Sequence, residues 1–321
     1  MSEPFDSLLS LRADGPAGVD LAPAVADALA QRRPLVLLES AVVSHGLPAA
    51  VAIRTVAEMV ADAADEGVLA VVTAVVNGRI IVGASPGDLA RLTGGQVAKI
   101  AARDLPTALA LGHTGGTTVS ATAAIADLIG VPVMATGGIG GVHLGAERTW
   151  DVSADLSALS SHPVLVVCSG AKAICDIPKT VEFLETAGVT VVGFRTDRFP
   201  YFLAADSGVP APRRIDSPQD AAAILMAQRA LGQRSGVVVA NPIPLAEALD
   251  AGEVADAVAQ ARAKAERAGA VGSNLTPFLL DALAEITAGA SLRANVALLR
   301  ANARLAARIA VAIRNSLNLH N

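Results

Sequence analysis

The residue with the most chemical promise is the lysine in Val166-Val-Cys-Ser-Gly-Ala-Lys172-Ala-Ile-Cys-Asp-Ile-Pro178. The apolar run Pro163 to Val167 reads as a short buried strand ending at small residues, and Lys172 follows where that strand opens into a loop. Open α/β sheets keep their chemistry at the carboxyl ends of parallel strands. An apolar, glycine-softened pocket there strips water from the amine and favours its neutral form, a nucleophile able to form a Schiff base with a carbonyl substrate. Taken alone, the segment is also compatible with a solvated lysine starting a helix.

Three further segments carry candidate chemistry. Glu39 ends the apolar run Leu35-Val-Leu-Leu, and His45 follows in a loop closed by Gly46 and Pro48. A carboxyl held against an apolar strand end has a physical reason for a raised pKa, as acid/base work requires. Pairing with a basic group or capping a helix are the alternatives for Glu39, and His45 is expected to be a satisfied turn residue. The second segment, Ala135-Thr136-Gly137-Gly138-Ile-Gly140-Gly141-Val-His143, is a glycine-dense loop after a strand, where backbone amides can form an anion-binding nest. His143 stands where the dinucleotide fingerprint needs its third glycine, so a Rossmann cofactor is not expected. The third, Asp151-Val-Ser153-Ala154-Asp155, has carboxylates four apart around a hydroxyl. On a helix these share a face and suit a hard divalent cation beside a phosphate, while helix capping by Asp151 or Ser153 accounts for the same residues.

The elements that must position these residues follow from composition and pattern. The 321 residues are 52% hydrophobic and 17% charged, enough apolar material for a large core in a soluble globular protein, read as a single domain over 1–321. Aromatics at 2% exclude stacking platforms for nucleic-acid bases, and a net charge of −5 offers no field for a polyanion. Any phosphate bound belongs to a small molecule. Apolar stretches such as Val68 to Val76 are broken by charges well before the roughly 20 residues a bilayer crossing needs. The N-terminus lacks a basic region followed by an apolar one, so a cytoplasmic protein without membrane partners is expected. Cys168 and Cys175 match no common zinc or redox spacing and are expected to be buried, reduced thiols.

Short apolar runs alternate with helix-patterned stretches, which predicts an α/β fold with a mostly parallel central sheet covered by helices. Strands are expected at Pro34 to Leu38, Val68 to Val76, Val131 to Ala135, Val164 to Val167, Thr190 to Gly193 and Gly236 to Ala240. Helices are expected at Ala49 to Asp65, Thr117 to Leu128, Pro218 to Leu231, Leu245 to Ala268, Pro277 to Thr287 and Leu292 to Ser316. Asn77-Gly78 between β-branched runs predicts one antiparallel hairpin with a type I′ turn. Leu298, Leu305, Ile309 and Ile313, with arginines between them, make the last helix amphipathic, lying on the body or on another subunit.

Together these segments resemble the pseudouridine-5′-phosphate glycosidase family. The resemblance is carried by Leu38-Glu39-Ser40, Ser44-His45-Gly46-Leu47-Pro48, Lys99 with Arg103-Asp104-Leu105, Thr117-Thr118-Val119, the glycine-dense segment to His143, Asp151 to Leu156, Gly170-Ala-Lys172, Asn241-Pro-Ile-Pro244 and Thr276-Pro-Phe-Leu-Leu280. It implies an α/β/α sandwich, a homotrimer, a manganese-type metal ion, and reversible cleavage of the C–C bond between uracil and ribose 5-phosphate. It further implies that Lys172 is the covalent lysine, Glu39 the proton donor and Asp151 the metal ligand. Lys99 and Val119 become substrate contacts, and Ser153, Ala154 and Asp155 the stretch that holds the sugar phosphate. Asn295 falls on the base-contacting asparagine, and Thr136 and His143 join the substrate-binding set.

The chemistry accounts for these residue types. A C-glycosidic bond has no heteroatom leaving group to protonate, so another electron route is required. An imine between Lys172 and C1′ supplies that route while Glu39 moves the proton at the base carbon. Against the family pattern, Ala101 and Ala102 stand where it has Ser and Arg, Leu144 stands for Arg, Ala41 for Thr, and Gly272-Ser273-Asn274 replaces a Gly-Lys. Loss of polar groups beside retained Glu39, Lys99, Asp151 and Lys172 points to an alternative, a C-glycosynthase that joins ribose 5-phosphate to a different carbon nucleophile.

Overall fold

Strands whose every residue is apolar must be covered on both faces, and that condition organises the molecule. A computed structural model describes residues 18–94, 97–270 and 275–318. Its strands are β1 (Val19–Leu21), β2 (Leu35–Leu38), β3 (Leu69–Val76), β4 (Arg79–Val82), β5 (Ala98–Ile100), β6 (Gly115–Thr117), β7 (Val133–Ala135), β8 (Leu165–Cys168), β9 (Thr190–Phe194), β10 (Arg214–Ile215) and β11 (Val237–Ala240). All residues of β2, β7, β8 and β11 are buried. The order is β1-β4-β3-β2-β7-β8-β11-β9-β10, with β6 beside β3 and β5 beside β6. Pairing is parallel except for β3 with β4 and β3 with β6.

The long strand β3 explains how one sheet serves two purposes. Its first half, Leu69 to Val72, pairs with β2, and its second half, Thr73 to Val76, pairs with β4 across the expected hairpin. Asn77 and Gly78 both have positive φ (49° and 72°), as a type I′ turn demands. Ala74 and Val75 also pair with β6, whose other neighbour is β5. The edge that carries Lys99 and Thr117 is thereby tied to the strand that ends at Glu39.

The strand expectations fall close to the observed elements, and two helix starts differ for local reasons. The helix expected from Leu245 is Ala251–Ala268, because Asp250 caps it by accepting the Gly252 and Glu253 N–H groups at 2.8 and 3.1 Å. The helix expected from Thr117 is Val119–Ile129, because Thr117 belongs to β6 and Thr118 is the cap. The short helices Pro23–Ala30, Pro86–Thr93, Leu105–Ala110, Ala154–Leu159 and Ile177–Thr186 were not expected from periodicity, which needs more turns than they have.

The C-terminal helix, Ala290–Asn318, packs across β2, β7 and β8 and against the helix Ala49–Ala64. Leu298, Leu305, Ile309 and Ile313 are its buried stripe, so the helix lies on the body of its own chain. Arg300 and Arg304 converge on the buried Asp62, with Arg300 Nε 2.8 Å from Oδ2, and Arg308 reaches Glu66. No helix among the described residues is long and apolar enough to cross a membrane.

Removing Asp62 strands two cations at a packed helix seam. Asp62→Ala should cost about 2 kcal/mol, below the ~3–5 kcal/mol of fully buried pairs, because the guanidinium groups can still reach water. The denaturant midpoint measures this, and an unchanged midpoint would show the seam to be held by apolar packing alone.

Candidate active site

The register of the central sheet sets the floor of the site. Leu38 of β2 is level with Ala135 of β7, and Ala135 with Val167 of β8. The chain segments leaving these three strands begin at Glu39, Thr136 and Ser169. Two cavities open above them. One of 260 Å³ is lined by Glu39, Lys99, Val119, His143, Asp151, Ser153, Ala154, Asp155 and Lys172, among others. A second, of 40 Å³, is lined by Val42, His45, Thr136, Phe202, Leu280, Asn295 and Leu299. Glu39, Ala41, Lys99 and Lys172 line both. Every site residue that the resemblance implies therefore borders one or the other, and Lys172 and Glu39 border both.

Glu39 is buried at 8% exposure. The Val42 N–H donates to its Oε2 at 2.9 Å, and the Thr136 hydroxyl donates to Oε1 at 3.3 Å. Burial pushes its pKa above the ordinary carboxyl range, and the nearby Lys172 cation and these two bonds only partly oppose that. The chain after Glu39 turns tightly through a π-helical turn at Val42–Gly46. Next to Glu39, the Ser40 Oγ accepts the Thr117 N–H at 2.9 Å and joins a buried hydroxyl cluster. In it Thr73 lies 2.8 Å from Thr117 and 3.0 Å from Thr122. The cluster fastens β2, β3, β6 and the helix Val119–Ile129 together directly behind Glu39.

Lys172 is reached through a chain that crosses the glycine-dense loop twice. The Ile139 N–H donates to the Gly170 oxygen at 3.1 Å, and the Lys172 N–H donates to the Ile139 oxygen at 2.9 Å. Gly170 has a φ of 77°, and a Cβ there would meet the Pro200 oxygen at 2.3 Å, so only glycine fits the bend before the lysine. Lys99, half-buried on β5, has its pKa lowered by burial and then by the Lys172 cation, with Asp155 and Glu39 opposing.

Two sequence expectations need correction here. The glycine-dense loop is not an open anion nest, because several of its amides serve protein acceptors. The Gly140 N–H donates to Asp155 Oδ2 at 2.8 Å, the Val142 N–H to Thr180 Oγ1 at 3.0 Å, and the His143 N–H to the Asp151 oxygen at 3.0 Å. Its glycines answer to close packing: a Cβ on Gly140 or Gly141 would sit 2.2 Å from Ser153 Oγ or 2.4 Å from Thr180 Oγ1. Asp151 and Asp155 do not share a helix face, since the helix Ala154–Leu159 starts after Ser153, its cap. Asp155 is buried and also accepts the Ser120 N–H at 2.9 Å, so both of its oxygens brace backbone. Asp151 faces the larger cavity, where His143 Nδ1 is 3.7 Å from its Oδ2. Burial pushes the His143 pKa down, with the nearby Asp151 opposing.

The departures from the family pattern fall unevenly around the two cavities. Ala101 lines the larger cavity, while Ala102 and Leu144 line neither of these two. Ala41 borders both, and Gly272-Ser273-Asn274 lies outside the described residues.

Among the described residues no group of three or more His, Cys, Asp or Glu side chains is placed to enclose a metal ion. A single cavity-facing carboxylate suits a hard divalent ion that keeps most of its shell from water and phosphate oxygens, and does not suit a zinc cage. The cysteines are free and buried, and burial pushes both thiols up to about 12, so neither is a nucleophile here.

His45 is the satisfied turn residue expected, in the turn Val42–Gly46 with Nδ1 2.6 Å from Ser44 Oγ, and it also lines the smaller cavity, where burial and then Lys99 lower its pKa. Two further residues at the site carry no expectation from the sequence. Phe202, also lining the smaller cavity, has a left-handed φ of 53°. Asn302 is fully buried behind the strand ends. The available signal for Asn302 was an amide on the apolar stripe of an amphipathic helix. Phe202 left no signal, because a loop conformation far from Lys172 in sequence decides its position.

A lysine and a buried carboxyl at neighbouring parallel strand ends, shared between a polar and a largely apolar cavity, define an α/β enzyme site for a small anionic substrate. The chain belongs to the family described as indigoidine synthase A-like protein, whose model matches residues 24–312. It is 48% identical over 299 residues to a pseudouridine-5′-phosphate glycosidase of Methylobacterium nodulans, covering 93% of this chain and 89% of the relative. It is 44% identical over 294 residues to that of Caldanaerobacter subterraneus subsp. tengcongensis, covering 91% and 96%. Among solved structures it is similar to the prealnumycin C-glycosynthase in complex with ribulose 5-phosphate (TM-score 0.87, 34% identity, 95% of this chain and 100% of that chain). It is also similar to an indigoidine synthase A-like protein of Thermotoga maritima (TM-score 0.82, 35% identity, 88% and 93%).

The raised pKa of Glu39 has a stability consequence whose sign is fixed. A group with a folded-state pKa above its unfolded value, ordinarily about 4.3 for Glu, contributes stability that is complete below the unfolded pKa. That stability is lost as pH rises through the folded value. Glu39→Gln should therefore gain stability relative to wild type between pH 4 and pH 8, about 1.4 kcal/mol for each pH unit separating the two pKa values. Melting temperatures of both proteins across that range check this, and parallel curves would place an ordinary carboxyl at position 39.

Proposed function

We propose that the protein makes and breaks the C–C glycosidic bond of pseudouridine 5′-phosphate, with water converting it to uracil and ribose 5-phosphate. The observation that carries this is the placement of Glu39 and Lys172 in the wall common to both cavities. The larger cavity, with Lys99 and Ser153, takes the sugar phosphate, and the smaller one, with Asn295, takes the base. The relatives' name and the ribulose 5-phosphate bound to the related C-glycosynthase support a phosphorylated sugar as the substrate.

In the cleavage direction the ribose ring opens and the C1′–O4′ bond is exchanged for a bond from Lys172 Nζ to C1′. Glu39 delivers its proton to the base carbon C5. The nitrogen lone pair then forms C1′=N as the C1′–C5 electron pair returns to the uracil ring. Water hydrolyses the imine, which frees the amine and leaves the aldehyde of ribose 5-phosphate. A carboxyl with a raised pKa still holds its proton at a pH where an ordinary one has lost it, and that is what the donor step requires. Lys99 offsets phosphate charge from a low-dielectric site, where an ammonium acts more strongly than in water. Asp151 is the residue that holds the divalent ion in this reading, and the ion supplies further charge neutralisation for the phosphate. The homotrimer implied by the resemblance and the cytoplasmic setting expected from the sequence accompany the proposal.

A second reading has a specific observation behind it. Val42, Phe202, Leu280 and Leu299 make the smaller cavity largely apolar, which also suits an aromatic carbon nucleophile in the synthetic direction. Incubation with pseudouridine 5′-phosphate, and separately with ribose 5-phosphate plus uracil, decides between them by product mass. Interconversion supports the glycosidase; covalent capture of ribose 5-phosphate with uracil inert supports the C-glycosynthase.

Borohydride with ribose 5-phosphate should add the mass of the reduced sugar at Lys172, and Lys172→Ala should lose both the label and bond cleavage. Labelling that survives Lys172→Ala would remove the lysine from the chemistry. Chelator should suppress turnover and manganese restore it, and metal-free enzyme at full rate would remove the ion from the reading.

A further inference from the structure

Polar atoms buried on an apolar helix face are costly unless they are bonded, so a fully buried asparagine there needs a reason. Asn302 is 0% exposed. Its amide nitrogen donates to the backbone oxygens of Thr136 at 2.9 Å and Gly137 at 3.3 Å, and lies 3.1 Å from Ser169 Oγ. Its oxygen accepts from Asn241 Nδ2 at 2.9 Å and lies 3.4 Å from the Ser169 hydroxyl. Thr136, Ser169 and Asn241 are the first residues beyond β7, β8 and β11. One side chain therefore ties three adjacent strand ends to the C-terminal helix.

We propose that Asn302 is a positioning residue for the bond chemistry, holding the Thr136 and Ser169 strand ends so that Glu39 and Lys172 meet the substrate in register. The inference rests on the function proposed above. Its first arm is one residue long, since the Thr136 hydroxyl that Asn302 fixes through the backbone donates to Glu39 Oε1. Its second arm runs from Ser169 through the bend at Gly170 to Lys172. The Ser169 N–H donates to the Gly137 oxygen at 2.8 Å, so the two arms are also bonded to each other. Asn295 lies on the same helix two turns earlier, about 10 Å along the axis, and lines the smaller cavity. A single anchor thus sets the base contact, the proton donor and the lysine in one frame. A leucine of similar volume fills the space but holds no strand end, which is why an apolar residue cannot replace it.

The experiment compares wild type, Asn302→Ala, Thr136→Val and the double variant in turnover of pseudouridine 5′-phosphate and in the rate of borohydride trapping of ribose 5-phosphate. Misplacement of reacting groups by about 1 Å costs on the order of a hundredfold, so Asn302→Ala should lose about that much in kcat. A structural role alone lowers the melting temperature and leaves kcat of the folded fraction intact, whereas positioning lowers kcat with little change in KM. The double variant should lose no more than Asn302→Ala alone, because the Thr136 arm is one of the two that Asn302 holds. If Asn302→Ala does not fold, Ser169→Ala removes one bond of the same network and takes its place in the cycle. A folded variant with wild-type kcat, or losses that simply add, overturns the proposal. Wild type that traps ribose 5-phosphate but leaves pseudouridine 5′-phosphate intact overturns the substrate reading alone, and Asn302 is then judged on the trapping rate. Wild type inert in both assays overturns both.

Discussion

The burial of one carboxyl at the end of an all-apolar strand is the constraint around which the site is arranged. Glu39 cannot be moved outward without losing its raised pKa, and it cannot be buried further without losing the Val42 and Thr136 donors that make its charged form tolerable. Both conditions are met because the chain behind it is immobilised. The Ser40, Thr73, Thr117 and Thr122 hydroxyls satisfy one another in the core, so the strand end is fixed by bonds that leave no polar atom idle. The hairpin on β3 belongs to the same arrangement, since it returns the chain so that β5 and β6 bring Lys99 and Thr117 alongside.

Placement between two cavities gives the carboxyl and Lys172 access to both sides of one bond. In the proposed reading the sugar side is polar and carries His143 and Asp151, while the base side adds the apolar Val42, Phe202, Leu280 and Leu299, and Lys99 borders both. That difference matches what the two halves of a phosphorylated C-nucleoside require: charge compensation on one side, and a planar, weakly polar contact with an amide handle on the other.

Much of this was legible in the sequence because it depends on local pattern. Strands of branched apolar residues ending at Glu39, Thr136 and Cys168 showed where chemistry would gather, and the Asn77-Gly78 hairpin needed only its turn residues. What was not legible depends on the partner rather than the residue. Asp155 looks like a ligand in sequence, but two backbone amides of distant segments claim its oxygens. The glycines from 137 to 141 look like a phosphate nest, but they are small because Ser153, Thr180 and Phe202 press against them. The replacements against the family pattern look alike in sequence, but Ala41 borders both cavities, Ala101 the larger one, and Ala102 and Leu144 neither.

The corrected role of Asp155 changes how the phosphate is held. An anion nest built from free amides binds phosphate wherever it is presented, whereas here the Gly140 and Ser120 amides are neutralised by a buried carboxylate. In the proposed reading, positive charge for the phosphate then comes from side chains such as Lys99, with Asp151 as the residue that would hold an ion. Burial and the neighbouring Lys172 cation lower the pKa of Lys99, so its ammonium is least stable in the empty cavity and is favoured once the phosphate arrives. In the proposed reading, binding the sugar phosphate and fixing the charge of Lys99 are therefore one event, because Lys99 and Lys172 line the same cavity.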